Sequence, residues 1–181
     1  HSHSHSPQQP RSGETVLITA KVTDPDGVSS VKMSYQLVDP GSYIRKSDSA
    51  YETSWIEMPM LDDGTNGDEL AGDEIYTVAM QATLQTHRRL VRYRITVEDA
   101  PGKAVQVPYA DDESPNFAYF VYDGVPAWTG KKRPRVTPQQ DFSSEVMANS
   151  MPVYHLIANL NDVSKSQYDR SSDGVRMWGT L

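Results

Sequence analysis

The chain has 181 residues, a formal net charge of −7 and no cysteine, and its length accommodates one domain of ordinary size and part of another. The lack of cysteine excludes disulfide scaffolds, thiolate metal sites and cysteine nucleophiles. The acidic balance disfavours nucleic acid as a partner, and no apolar run approaches the ~20 residues that a membrane-spanning helix needs. We therefore expect no nucleic-acid partner and no membrane contact by this chain.

Residues 1–12 begin with a tract in which His and Ser alternate, from His1 to Ser6. Such a tract is typical of a purification tag or a linker, and a functional His-rich metal tract is the alternative. We predict that residues 1–12 form a disordered lead ahead of the first domain.

Residues 13–123 contain seven short runs in which apolar and polar residues alternate. In the first run Val16, Ile18, Ala20 and Val22 share one face, and this period of two residues is typical of a half-buried strand. Clusters of Asp, Pro and Gly, such as residues 24–27, separate the runs as turns. The predicted strands are residues 14–22, 31–37, 55–60, 75–80, 90–97, 104–107 and 117–122. The pattern predicts an all-β fold, a seven-stranded antiparallel immunoglobulin-like sandwich.

The character of the chain changes after residue 123. Residues 124–141 contain Gly, several prolines and a basic run at 131–135, which predicts a linker. Short helices are predicted at 142–150 and 162–168, the second capped by Asp162. Strands are predicted at 152–158 and 176–181. Because the last predicted strand has no partner in view, residues 142–181 are interpreted as the truncated α+β start of a second domain.

The loop between the third and fourth predicted strands carries the most plausible chemistry. Asp62, Asp63, Asp68 and Asp73 are interleaved with glycines, and Ca²⁺ prefers ~6–8 oxygen ligands of this kind. We therefore predict these four residues as Ca²⁺ ligands, although their spacing does not match an EF-hand. The alternative is a solvent-exposed turn in which the side chains accept hydrogen bonds from local backbone N–H groups. A second acidic group, residues 111–113, either completes this site or forms a solvated connection.

Two stretches resemble known bacterial modules. Residues 60–68 (Met-Leu-Asp-Asp-Gly-Thr-Asn-Gly-Asp), with the Ala-Gly-Asp at 71–73 and the Ile-Tyr-Thr at 75–77, resemble a loop and strand of extracellular Ig-like or fibronectin-type-III-like modules. Residues 115–128, together with 152–158 and 179–181, resemble the region that leads into the kinase-like domain of CotH-type (spore-coat-protein-H-type) proteins. The resemblance implies an accessory domain of a large exported protein, at the bacterial cell surface or outside the cell. Its partner would be the kinase-like domain of the same polypeptide.

Two functions therefore follow as hypotheses. The first is a non-catalytic accessory or spacer module, because the chain carries none of the CotH-type family's catalytic motifs, no nucleophile elbow and no phosphate-binding loop. The alternative is a module that binds carbohydrate or mediates Ca²⁺-dependent adhesion, since exposed aromatic rings can stack on sugars. The strand aromatics are interpreted mostly as core: Trp55, Tyr76, Tyr93, Tyr119 and Tyr122. We predict no catalytic residue and no cofactor apart from the candidate Ca²⁺.

Overall fold

The computed structural model describes residues 2–131, 138–149, 152–168 and 179–180. The strands within residues 2–120 form two antiparallel sheets. The eight strands are β1 (Ser2–Ser6), β2 (Val16–Lys21), β3 (Val28–Val38), β4 (Ile56–Met60), β5 (Ile75–Met80), β6 (Leu90–Asp99), β7 (Ala104–Val107) and β8 (Phe117–Phe120). The first sheet has the order β1-β2-β5 and the second the order β4-β3-β6-β7. Strand β8 pairs with residues 90–93 of β6 and β7 with residues 95–98, so they follow each other along one edge.

Side chains from both sheets meet in one buried cluster. Ile18 and Met80 from the first sheet lie in this cluster with Met33, Tyr93 and Ile95 from the second, each at most 1% exposed. Burying a large apolar side chain contributes roughly 1.5–3 kcal/mol, so this shared cluster dominates the stability of the fold. The all-β prediction is confirmed as a mostly β structure with antiparallel sheets, consistent with a sandwich.

Several local predictions differ from the structure in detail. Strand β4 begins at Ile56 and lies at a sheet edge, where its Pro59 does not break a central ladder. The polar stretch 42–54, predicted to be a connection, contains the short helix α1 (Ser49–Thr53). A single 3-10 turn, Ala82–Leu84, precedes β6. The described residues up to 120 contain eight strands rather than seven, because the N-terminal residues add β1.

The prediction that residues 1–12 form a disordered lead is wrong for residues 2–6, which form β1. The strand pairs with β2 from Ser2 opposite Lys21 to Ser6 opposite Leu17. The ring of His3 stacks on Phe117 with 3.6 Å between centroids. The ring of His5 lies 5.2 Å from that of Tyr119. Two imidazoles of β1 thus contact aromatic rings of the opposite sheet. The inward face of a strand normally carries aliphatic residues instead.

The chain after residue 123 also contains regular structure. Strands β9 (Trp128–Gly130) and β10 (Gln140–Phe142) pair with each other, so the predicted linker 124–141 contains regular structure, and β10 extends one residue beyond it. Most of the basic run lies outside the described residues. Helices α2 (Ser144–Asn149) and α3 (Leu160–Tyr168) overlap the two predicted helices. Strand β11 (Ile157–Ala158) pairs with β12 (Gly179–Thr180).

Three predictions for this C-terminal part are corrected. Only two residues of the predicted strand 152–158 form a strand. The predicted strand 176–181 is described only at 179–180, and it has a partner in β11, whereas residues 176–178 and 181 lie outside the described part. Asp162 does not cap α3, because the helix begins two residues earlier and places Asp162 in its first turn. No helix of the described residues is both long and apolar enough to cross a membrane.

Candidate functional site

The structure brings three of the four predicted Ca²⁺ ligands together. One carboxylate oxygen from each of Asp62, Asp68 and Asp73 lies within 4.8 Å of the other two. Asp68 is buried, at 8% exposure, and the other two are half-buried. The three residues lie close together because the chain reverses between β4 and β5. Leu61, directly after β4, and Thr77 of β5 hold this reversal by two backbone hydrogen bonds to each other.

Hydrogen bonds within the loop hold each of these carboxylates. Asp62 accepts hydrogen bonds from the backbone N–H groups of Gly72, Asp73 and Glu74, at 2.5, 3.2 and 3.0 Å. Asp68 accepts one from the N–H of Gly64 at 2.6 Å and one from the hydroxyl of Thr77 at 3.3 Å. Such hydrogen bonds from nearby backbone N–H groups to Asp carboxylates are typical of Asp residues that stabilise a turn. They account for the acidic residues as turn-forming groups, and the Ca²⁺ site stays a prediction.

The remaining acidic residues do not join this cluster. Asp63 is exposed, and its Oδ1 accepts hydrogen bonds from the N–H and the hydroxyl of Thr65 at 2.9 and 2.8 Å. In the second acidic group, Asp112 accepts a hydrogen bond from the N–H of Tyr109 at 3.0 Å. Among the described residues, the carboxylates of the second acidic group are therefore not part of the cluster of Asp62, Asp68 and Asp73.

The loop places negative charge beside strand β5. The pKa of the Tyr76 phenol is raised by burial first, and then by the charges of Asp62 and Glu74.

Gly67 of the acidic loop packs against strand β2 with φ at +98°, and a Cβ there would lie 2.5 Å from Cδ2 of Leu17. The glycine therefore permits both the left-handed backbone and the close approach of the loop to the sheet.

A second constellation, which sequence reasoning missed, lies on the face of β6 that points away from the shared cluster. Arginine guanidinium groups and aromatic rings alternate there in a stack that we call the arginine–aromatic ladder. Its members in order are Tyr43, Arg92, Tyr51, Arg94 and Trp55. Arg92 Cζ lies 5.1 Å from the Tyr43 ring centroid and 5.6 Å from that of Tyr51. Arg94 Cζ lies 5.1 Å from the Tyr51 centroid and 3.9 Å from that of Trp55. These distances are within the range of cation–π attraction.

Alternation along β6 predicted that Arg92 would lie on the polar face, yet it is only 5% exposed. Helix α1 and the preceding loop cover it, and its Nη1 donates hydrogen bonds to Gln36 Oε1 at 2.9 Å and to the carbonyl of Ile44 at 3.0 Å. Gln36 is itself buried and donates to Ser54 Oγ at 2.7 Å, so it ties the arginine to the end of α1. The ring partners are ~40 to 50 residues from Arg92 along the chain, so no local spacing signal marks the ladder.

A third feature is the contact between the C-terminal segment and the end of the two-sheet domain. The N–H of Leu160 donates to the carbonyl of Gly41 at 2.9 Å. Arg45 Nη2 lies 2.8 Å from Asp162 Oδ2, as a hydrogen-bonded ion pair. The His155 ring lies 5.5 and 4.9 Å from the rings of Phe120 and Tyr122. The residues that begin α3 are thus attached to the loop after β3, and those before β11 to the end of β8.

Comparisons with known proteins do not identify the chain. No protein-family model matches the sequence, and no curated protein matches it. The resemblance to CotH-type proteins and to fibronectin-type-III-like modules therefore stays a prediction, drawn from the short motifs of the sequence.

Proposed function

We propose that the chain is a non-catalytic accessory or spacer module of a large exported bacterial protein of CotH type, located at the cell surface or outside the cell. In this proposal the two-sheet domain is Ig-like or fibronectin-type-III-like and holds the kinase-like domain of the same polypeptide in a defined orientation. The resemblance of the sequence motifs motivates the family, and one structural observation supports the spacer role.

That observation is the attachment of the segment that follows the two-sheet domain. A spacer with a free linker would leave its neighbour to rotate, whereas here α3 is joined to the loop after β3 by a backbone hydrogen bond and an ion pair. The side chain of Asp162 is only 14% exposed and that of Arg45 36%, so this pair is shielded more than an ordinary surface pair. The segment contacts the domain at two separate places, residues 41–45 and 120–122, and two contacts restrict rotation more than one would.

The test is hydrogen exchange in the full chain. Arg45→Ala should raise the exchange rates of the Leu160 and Val163 amides several-fold and leave the amides of β3 and β6 unchanged, because only the local attachment is lost. Lys32→Ala is the matched control, since it removes an exposed Lys–Glu57 pair at 3.9 Å on the edge of the second sheet. Exchange at Leu160 that is identical in the Arg45→Ala variant and the wild type would refute the attachment as an orienting device.

The non-catalytic part of the proposal has its own test. Incubation of the purified chain with ATP and Mg²⁺ should yield no ADP above the protein-free control, because the sequence contains no phosphate-binding motif. Turnover that persists through further purification would refute the proposal.

The alternative is a ligand-binding module for carbohydrate or Ca²⁺-dependent adhesion. The clustering of three carboxylates favours the Ca²⁺-dependent form of it. A glycan array probed with and without Ca²⁺ separates the two functions, since a pure spacer binds no glycan under either condition.

A further inference from the structure

We propose that the cavity next to Arg92 binds a small carboxylate-bearing ligand of the sugar-acid class. The cavity has a volume of about 290 Å³ and lies between the loop after β3, helix α1 and the segment that leads into β8. The residues of its wall that carry the argument are Tyr43, Lys46, Tyr51, Arg92, Glu113 and Asn116. The inference does not rest on the spacer role. The attachment of α3 uses Gly41 and Arg45 of the loop after β3, whereas the cavity uses Tyr43 and Lys46 of the same loop.

The guanidinium of Arg92 is the reason to expect an anion. It is 5% exposed and lies at the cavity wall, but among the described residues no carboxylate lies within 4.0 Å of it. Only Nη1 has hydrogen-bond acceptors, in Gln36 and Ile44, so the donors on Nε and Nη2 have no acceptor in the described part of the chain. A guanidinium has five donors in a planar fork that matches a carboxylate with two parallel hydrogen bonds. Neither nitrogen is among the buried side-chain atoms that lack a partner, so both can be reached from the cavity by a ligand that accepts hydrogen bonds.

The charges around the cavity favour a monoanion. Arg92 and Lys46 contribute positive charge and Glu113 negative charge, which leaves one net positive charge at neutral pH. A phosphate or sulfate dianion would bring a second negative charge towards Glu113 with no cation to balance it. A single carboxylate satisfies Arg92 and leaves Lys46 and Glu113 balanced at the rim.

The other walls fit a hydroxylated ring better than an apolar one. The half-buried ring of Tyr43 flanks the guanidinium at 5.1 Å and lines the cavity, where C–H groups of a pyranose can contact it. Asn116, whose Oδ1 accepts a hydrogen bond from the Tyr51 hydroxyl at 3.0 Å, and Ser114 at the rim supply polar groups for sugar hydroxyls. Mixed aromatic and polar walls around one charged anchor are what a hexuronic acid requires.

Nuclear magnetic resonance titration of the full chain with glucuronate tests the proposal. Glucuronate should shift the side-chain Nε–H signal of Arg92 and the amides of residues 43–51 and 113–116. Glucose tests the need for the carboxylate, acetate tests the need for the sugar, and sulfate tests the preference for a monoanion. Each should bind at least tenfold more weakly than glucuronate.

Variants at the exposed rim avoid the risk that a change at buried Arg92 prevents folding. Lys46→Ala should weaken glucuronate binding and Glu113→Gln should strengthen it, each by roughly three- to tenfold, because they remove a positive or a negative charge near the carboxylate. Lys32→Ala is the control and should leave binding unchanged.

Three results would overturn the proposal. Absence of shifts with glucuronate rules out the site, and equal binding of glucose or of sulfate refutes the assignment to a sugar acid. Acetate that binds as well as glucuronate shows a simple anion site without a role for the ring.

Discussion

Asp62 organises the acidic loop, and its replacement by Ala is the sharpest test of how that loop is held. The side chain accepts three backbone hydrogen bonds, from Gly72, Asp73 and Glu74. Glu74 has a φ of +69°, a conformation that a non-glycine residue adopts only when its surroundings enforce it. Its carbonyl in turn accepts the N–H of Val22 at 2.9 Å, so the loop is tied to the end of β2.

The expected loss follows from these contacts. A hydrogen bond to a charged acceptor contributes about 1.5–3 kcal/mol, but the freed donors lie in an exposed loop and can bind water. The three losses are therefore not additive, and we expect Asp62→Ala to lower the free energy of unfolding by about 2–3 kcal/mol. Asp62→Asn should recover less than half of this, because its amide group presents N–H donors to at least one backbone N–H.

Asp63→Ala is the matched control, since it removes the same charge from the neighbouring residue. Asp63 is exposed and binds only Thr65, so its loss should cost about 0.5 kcal/mol or less. Urea unfolding in the presence of a chelator measures the difference without any contribution from bound metal. If Asp62→Ala and Asp63→Ala lose the same amount, the proposed role of the three backbone hydrogen bonds is wrong.

Three further predictions concern the metal, the N-terminal strand and the core. If the acidic cluster binds Ca²⁺ only in the folded state, a concentration 100 times the Kd should add about 2.7 kcal/mol of stability; an unchanged Tm at millimolar Ca²⁺, or an equal shift in Asp68→Asn, would contradict the site. The pKa of His3 is lowered from 6.5, by burial first and then by the charge of His5. The unfolded chain therefore binds more protons than the folded chain. The stability is greatest above pH 6.5 and falls as the pH is lowered from there through the folded-state pKa. His3→Gln should reduce the loss of stability between pH 7.5 and pH 5.5 in urea titrations, and an unchanged loss would refute the link. Met33→Ala should cost about 2–5 kcal/mol because Met33 is fully buried, whereas Ile56→Ala, at a site 52% exposed, should cost less than about 1 kcal/mol.

The N-terminal strand shows where sequence reasoning fails and what signal was present. The alternation of His and Ser has the period of a strand, but the composition is that of a purification tag. The prediction of a disordered lead followed the composition and ignored the period. The structure gives the imidazoles of His3 and His5 aromatic neighbours on β6 and β8. Those neighbours are ~90 to 115 residues away in sequence, so a local pattern cannot reveal them.

The sequence by itself determined the strands from β2 to β8, because a period of two residues places apolar side chains on one face wherever the sheet lies in the fold. It also identified the acidic loop, since Asp and Gly form turns through local hydrogen bonds. The tertiary structure alone decided which carboxylates meet, because Asp62 and Asp73 approach only when β4 and β5 are joined. It likewise decided that Arg92 is buried, since local alternation says nothing about what covers a strand's outer face. Local patterns therefore specified the elements of this protein, and long-range packing specified the chemistry between them.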